Sequence, residues 1–193
     1  MTWGYRLVGK RLFDVGLALV GLCLFALPMV GIALGVWMDS GYPILFRQIR
    51  IGHAGKPFLL WKFRTMNEAG TVTGLGRILR ATAMDELPQL FQILLGQMSF
   101  VGPRPLIPEE LRQLQAIPEG NRRLLLKPGL TGLAQLYSDK SPSLTQRLRW
   151  DLLYAKGCSL WLDGTIVAKS IWVTTRGGWE QPGSKVPLKG NTL

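Results

Sequence analysis

Histidine is almost missing from this sequence, with His53 standing alone, and cysteine is scarce, with Cys23 in an apolar run and Cys158 far from it. That excludes a disulfide framework and a Cys/His zinc site, and it fits two inert thiols in a reducing compartment. A metal here would have to be a hard cation held by carboxylates. Acidic residues are also few: 12 Asp and Glu against 23 Lys and Arg, for a net charge of +11. Such an excess calls for a polyanionic partner, and by itself leaves nucleic acid, an anionic membrane surface and phosphorylated substrates open. Internal repeats are lacking too, which removes solenoids and propellers.

What is present first is a run of 24 residues without a charge, Val15 to Met38. That length suffices to cross a bilayer as a helix. It exceeds the apolar core of a signal peptide, and no small-x-small cleavage site follows it. Its flanks conflict. Arg6, Lys10 and Arg11 against Asp14 give +2 before the run, and residues 39–64 give +4 after it. Both ends are therefore drawn to the cytoplasmic side. Pro28, near the middle, removes a backbone hydrogen bond and favours a kink. Two readings stay open on these grounds: a bent re-entrant helix, and a simple kinked span.

Beyond the run, Pro43 and Ile44–Phe46 read as a short strand or surface segment, and Gly52, Gly55 and Pro57 as a turn before the apolar-basic stretch Phe58–Met66. Residues 67–76 read as a glycine-bearing loop; Gly74-Leu75-Gly76 lacks the third glycine and the preceding strand of a dinucleotide fingerprint. Leu87, Leu90, Phe91, Leu94 and Leu95 fall on one helical face, with Pro88 in the first turn and an end at Gly96. Asp85 and Glu86 then sit at or just before that helix's N-terminus. Ser99–Leu106 looks too rich in proline for a regular element. Helices are expected over Pro108–Ile117, Leu144–Lys156 and Leu160–Thr174, a basic stretch over Arg122–Lys127, and a turn into a short strand over Pro128–Gln135. The tail from Gly177 is expected to be poorly ordered.

Asp85-Glu86 has a bland explanation as a helix cap complementing the dipole. It also has a chemical one. A carboxylate can attack phosphorus and divide a transfer into two steps, while a second one holds Mg²⁺ and offsets phosphate charge. Two carboxylates alone would repel a diphosphate, so cations must gather. Candidates are Lys62, Arg64, Arg77, Arg80 and Arg104, the last fixed between Pro103 and Pro105 as a bidentate phosphate ligand. Each taken singly also reads as a solvated or lipid-facing cation.

The ordered motifs KRLFD (Lys10–Asp14), KFRTM (Lys62–Met66), LRATAMDELPQL (Leu79–Leu90), GQMSFVGPRPL (Gly96–Leu106) and KPGLTGLAQ (Lys127–Gln135), with Trp150–Tyr154 and Leu162-Asp163, cover most of the chain. Together they resemble the bacterial sugar transferases, the monotopic polyprenyl-phosphate phosphoglycosyl transferases. The resemblance implies an α-rich α+β fold with a re-entrant membrane helix (residues 1–40, broken at Pro28). Interfacial amphipathic helices and a small catalytic domain with short strands (residues 41–193) would form one unit with it. It implies that Asp85 is the nucleophile, forming a covalent phosphosugar with release of UMP, and that Glu86 is its partner at Mg²⁺, the implied cofactor. Lys62, Arg64, Arg80 and Arg104 would bind phosphates, while Asp151 and Asp163 would be structural or site-supporting.

The implied partners are a UDP-sugar donor, polyprenyl (undecaprenyl) phosphate and anionic lipids, and a homodimer is compatible with it. The implied location is the bacterial inner membrane, with the catalytic part on the cytoplasmic face. The chain departs from the family pattern at Ala26-Leu27-Pro28, where Ser-Pro is common, and at Leu136-Tyr137-Ser138-Asp139, where an Asn-Gly-Arg run is common. Either Lys140 replaces that arginine or the donor is unusual. Competing readings are direct Mg²⁺-assisted transfer without an intermediate and a non-catalytic membrane-anchored scaffold. Nucleic acid is disfavoured, since aromatics do not alternate with the basic residues.

Overall fold

A computed structural model describes residues 8–138, 142–176 and 178–180. The expectations for Asp139, Lys140 and most of the tail fall outside them. The uncharged run lies within one long helix, α1 (Lys10–Ser40), with Pro28 inside it. At 1.5 Å per residue it is about 46 Å long, more than a bilayer's apolar core of about 30 Å. By length and composition it can cross a membrane, and its side chains are largely bare, with Leu27 81% exposed. Contact with the rest of the chain comes along one side. Ala18 packs with Leu90 and Ile93, and Val36 with Phe63 and Leu79.

Charge fixes both ends of α1. Near its start, Lys10 Nζ donates to Asp163 Oδ2 at 2.7 Å, and Asp14 Oδ1 accepts from Ser99 Oγ and the Phe100 amide, each at 2.9 Å. Arg11 donates to the carbonyls of Ile93 and Leu94, both at 2.6 Å. At the far end, the Arg64 guanidinium donates to the carbonyls of Ser40 and, at 2.6 Å, Gly41. Those carbonyls carry the negative end of the helix dipole.

Strands β1 (Leu45–Ile51) and β2 (Pro57–Phe63) form an antiparallel hairpin in which Phe46 faces Lys62 and Arg50 faces Phe58. The chain then turns into α2 (Gly74–Ala81), capped by Thr73, whose Oγ1 accepts from the Gly76 amide at 2.9 Å. The helix thus absorbs the end of the segment expected to be loop. Gly76 has a packing reason: a Cβ there would lie 2.2 Å from the Thr65 carbonyl oxygen.

Helix α3 (Gln89–Leu94) is shorter than its apolar spacing suggests, and Pro88 caps it instead of lying in its first turn. Its apolar residues also divide. Leu90 is 3% exposed, whereas Phe91 and Leu95 are 45% and 66% exposed. Gln92 is buried instead, because its amide completes the edge of β2, donating to the Leu59 carbonyl at 2.6 Å and accepting from the Trp61 amide at 3.1 Å.

Strand β3 (Ser99–Val101) corrects the expectation of irregular chain, since its prolines begin only at Pro103. It pairs in parallel with β4 (Gly129–Thr131). Helices α4 (Pro108–Gln115), α5 (Leu133–Tyr137), α6 (Leu144–Gly157) and α7 (Leu160–Thr175) complete the body, and a 3₁₀ run, Gly120–Leu125, occupies the basic stretch. A core of Val101, Leu136, Tyr154 and Ile166 joins β3 to α5, α6 and α7.

Candidate active site

Between α2 and α3 the chain leaves helix through Ala83, which adopts φ +54°, and closes a 3₁₀ turn over Met84–Glu86. This short turn carries both carboxylates, so they stand on an element of their own, ahead of α3 instead of at its start. The neighbouring Leu87 packs with Val36, Phe63 and Leu79, which seats the turn against α1, α2 and β2.

Lys62, near the end of β2, reaches this turn. Its ammonium hydrogen-bonds Glu86 Oε1 and lies 3.8 Å from Asp85 Oδ2. Asp85 is 8% exposed. Burial pushes its carboxyl up to about 6; Lys62 opposes the rise, the Glu86 charge adds to it, and Arg80 opposes it. Glu86 goes the other way. Its burial is outweighed by Lys62, with Arg104 and Arg50 assisting, and its pKa falls below the usual value. Adjacent residues thus receive opposite environments: Glu86 is held as a firm anion, while Asp85 is poised close to neutrality, the range in which active-site groups are commonly tuned.

The cations expected at the site divide by position. Lys62 and Arg104 line one cavity with Glu86 and Gln89, together with Arg50. Arg80 stands behind Thr65, donating from Nε to Oγ1 at 2.8 Å, close enough to be felt by Asp85. Arg64 is engaged with the end of α1, and Arg77 is exposed on α2. Arg50 was not anticipated. In the sequence it counted only as flanking charge, and its one usable signal was its place in a strand paired with the one that carries Lys62.

Arg104 is held from behind. Its carbonyl accepts from Arg123 Nη2 at 2.5 Å, and the buried Arg123 lies 2.7 Å from the buried Asp151. Asp151 thus reaches Arg104 through one intermediary, Arg123. Asp163 instead ties Lys10 to Tyr154, whose hydroxyl is 2.7 Å from Asp163 Oδ1. The loop before Arg104 is fixed by backbone contact, since a Cβ on Gly102 would meet the Lys127 carbonyl oxygen at 2.3 Å.

A divalent ion fits the donor set in part. Asp85 and Glu86 offer hard oxygens, and no group of three or more metal-ligating side chains exists among the described residues. Two carboxylates suit Mg²⁺, which ordinarily completes its shell with substrate phosphates and water.

A family model described as bacterial sugar transferase matches residues 5–177. The chain belongs to the bacterial sugar transferase family. Among its curated relatives, a UDP-glucose:undecaprenyl-phosphate glucose-1-phosphate transferase of Klebsiella pneumoniae is 38% identical over 188 residues, covering 88% of this chain and 40% of that protein. A protein of the same description from Caulobacter vibrioides is 41% identical, over 84% of this chain and 68% of its own length. The exopolysaccharide production protein PSS of Rhizobium leguminosarum is 36% identical, over 84% of this chain and 96% of its own. The chain thus spans only about two fifths of the Klebsiella relative, whereas the Rhizobium relative is matched almost end to end.

Proposed function

We propose that this sugar transferase moves a sugar 1-phosphate from a UDP-sugar to undecaprenyl phosphate, through a covalent intermediate on Asp85. One observation carries the reading: a buried carboxylate poised near neutrality, with Lys62 and a firm anion beside it, next to a cavity lined by Arg50 and Arg104. An Asp85 oxygen forms a bond to the phosphorus that bears the sugar. The bridging P–O bond breaks, and UMP departs with the electron pair. In the second step a phosphate oxygen of the lipid attacks the same phosphorus, the aspartyl bond breaks, and the carboxylate returns. Lys62 holds Glu86 in place and offsets charge as the diphosphate approaches, and Arg104 receives phosphoryl oxygens. Mg²⁺ bound by Asp85 and Glu86 would supply Lewis-acid neutralisation of the diphosphate.

Relatives described as UDP-glucose transferases make UDP-glucose the first donor to try; the description of an Aeromonas hydrophila relative makes UDP-N-acetylgalactosamine the second. The two anchored ends of α1 support a re-entrant helix, with the body on the cytoplasmic face of the inner membrane. Phe91 on α3, Leu95 just after it and Trp161 on α7 are exposed apolar groups suited to the lipid boundary. The test is chemical. Wild type incubated with labelled UDP-glucose should release UMP and retain phosphosugar on Asp85, and Asp85→Asn should do neither. Label on another residue, or full transfer by the Asn variant, would defeat the covalent route. Ping-pong kinetics separate it from direct transfer.

A further inference from the structure

Two polar groups lining the cavity beside Glu86 keep buried N–H donors with no hydrogen-bond partner among the described residues. The first is Arg50. It is held beside Arg104, a like charge; burial first and Arg104 second depress its pKa, against the opposing pull of Glu110 and Glu86. Its Nε is buried without a hydrogen-bond partner among the described residues, and its Nη1 makes only a 3.3 Å bond to the Pro105 carbonyl. The second is Gln89, 2% exposed, whose Nε2 likewise has no partner among the described residues. A buried donor left unsatisfied is costly, so a bound acceptor would be favoured there. Glu86 attracts the guanidinium groups of both Arg50 and Arg104, but it is already paired with Lys62, so the cavity keeps positive charge for a bound anion.

Both groups line the same cavity as Lys62 and Arg104, and the remaining walls include the apolar side chains of Leu60, Pro105 and Leu130. A cavity with charged and neutral N–H donors suits a phosphoryl group, the anion that both substrates of the proposed reaction carry. From this geometry we infer that Arg50 and Gln89 are substrate-binding residues that donate to phosphoryl oxygens alongside Arg104. The inference rests on the transferase reading above and extends it to two residues. The chemistry is shared by two sources, the donor's diphosphate and the lipid acceptor's phosphate.

The test uses the full chain in lipid nanodiscs with Mg²⁺ and measures equilibrium binding, without turnover, of inorganic pyrophosphate and of farnesyl phosphate. Arg50→Lys keeps the charge but loses the planar fork. Gln89→Met keeps the length but loses the donor. Each is expected to weaken one or both probes about tenfold or more, with the melting temperature unchanged. Loss toward pyrophosphate alone assigns the donor's phosphates, and loss toward farnesyl phosphate alone assigns the acceptor's.

If Gln89→Met lowers the melting temperature, Gln89→Glu takes its place; it retains the shape, sets a carboxylate against the anion and should weaken binding further. Wild-type affinity of both variants for both probes would overturn the inference, as would failure of wild type to bind either probe. Asp85→Asn distinguishes the two readings. If it still transfers sugar phosphate while Arg50→Lys and Gln89→Met lose affinity, the nucleophile assignment fails and the phosphoryl pocket stands.

Discussion

Asp85 shows how a single side chain can be tuned at the expense of the fold that holds it. Its folded-state carboxyl lies near 6 against an ordinary 3.8. The folded chain therefore binds that proton more tightly than the unfolded chain, and the ionised form costs stability above pH 6. The cost is relieved as pH falls through about 6 toward 3.8. Asp85→Asn, which cannot ionise, should raise the melting temperature at pH 7.5 while abolishing transfer, a divergence calorimetry and UMP release would register together. On the proposed route, in which the Asp85 carboxylate attacks, UMP release by wild type should decline as pH drops through about 6. Glu86 has the opposite sign. Its lowered pKa makes the anion a stabilising group, so Glu86→Gln should lower the melting temperature at the same pH.

At the level of elements, the support for Arg104 is a chain of three parts: α6 supplies Asp151, the 3₁₀ run supplies Arg123, and Arg123 grips the Arg104 carbonyl. Asp151→Ala leaves a buried guanidinium unpaired, and such losses cost about 3–5 kcal/mol. Denaturant unfolding should show that drop. Much of this architecture was legible beforehand. The apolar run was legible from its length, α4, α6 and α7 lie close to the bounds expected for them, and the dyad, Lys62 and Arg104 stood out by motif. Other parts were hidden for identifiable reasons. Arg64 looks like one more cation until the end of α1, more than twenty residues earlier, is brought beneath it. Gln89 and Gln92 read as ordinary polar positions of a helix, yet one lines the cavity and the other completes a strand edge. Leu90, Phe91 and Leu95 follow a single-face spacing, but α3 lies between α1 and β2 on one side only, so two of the three face outward.

Across the whole molecule, α1 is a strut with both ends attached to one body. A re-entrant arrangement puts those ends on the same side of the bilayer. Cysteines introduced at the exposed positions Leu12 and Tyr42, in a Cys23→Ala background, should therefore react with an impermeant maleimide from the same side in oriented vesicles. Reaction from opposite sides would end that arrangement. The strut is also chemically part of what it carries. Without residues 10–40, Asp163 would lose the Lys10 ammonium, Arg64 its carbonyl partners, and Leu90 and Ile93 their apolar cover. Trimming the hydrophobic segment to make a water-soluble version for screening or crystallisation would therefore yield an aggregating fragment, and purification has to carry the intact chain in detergent or lipid from the start.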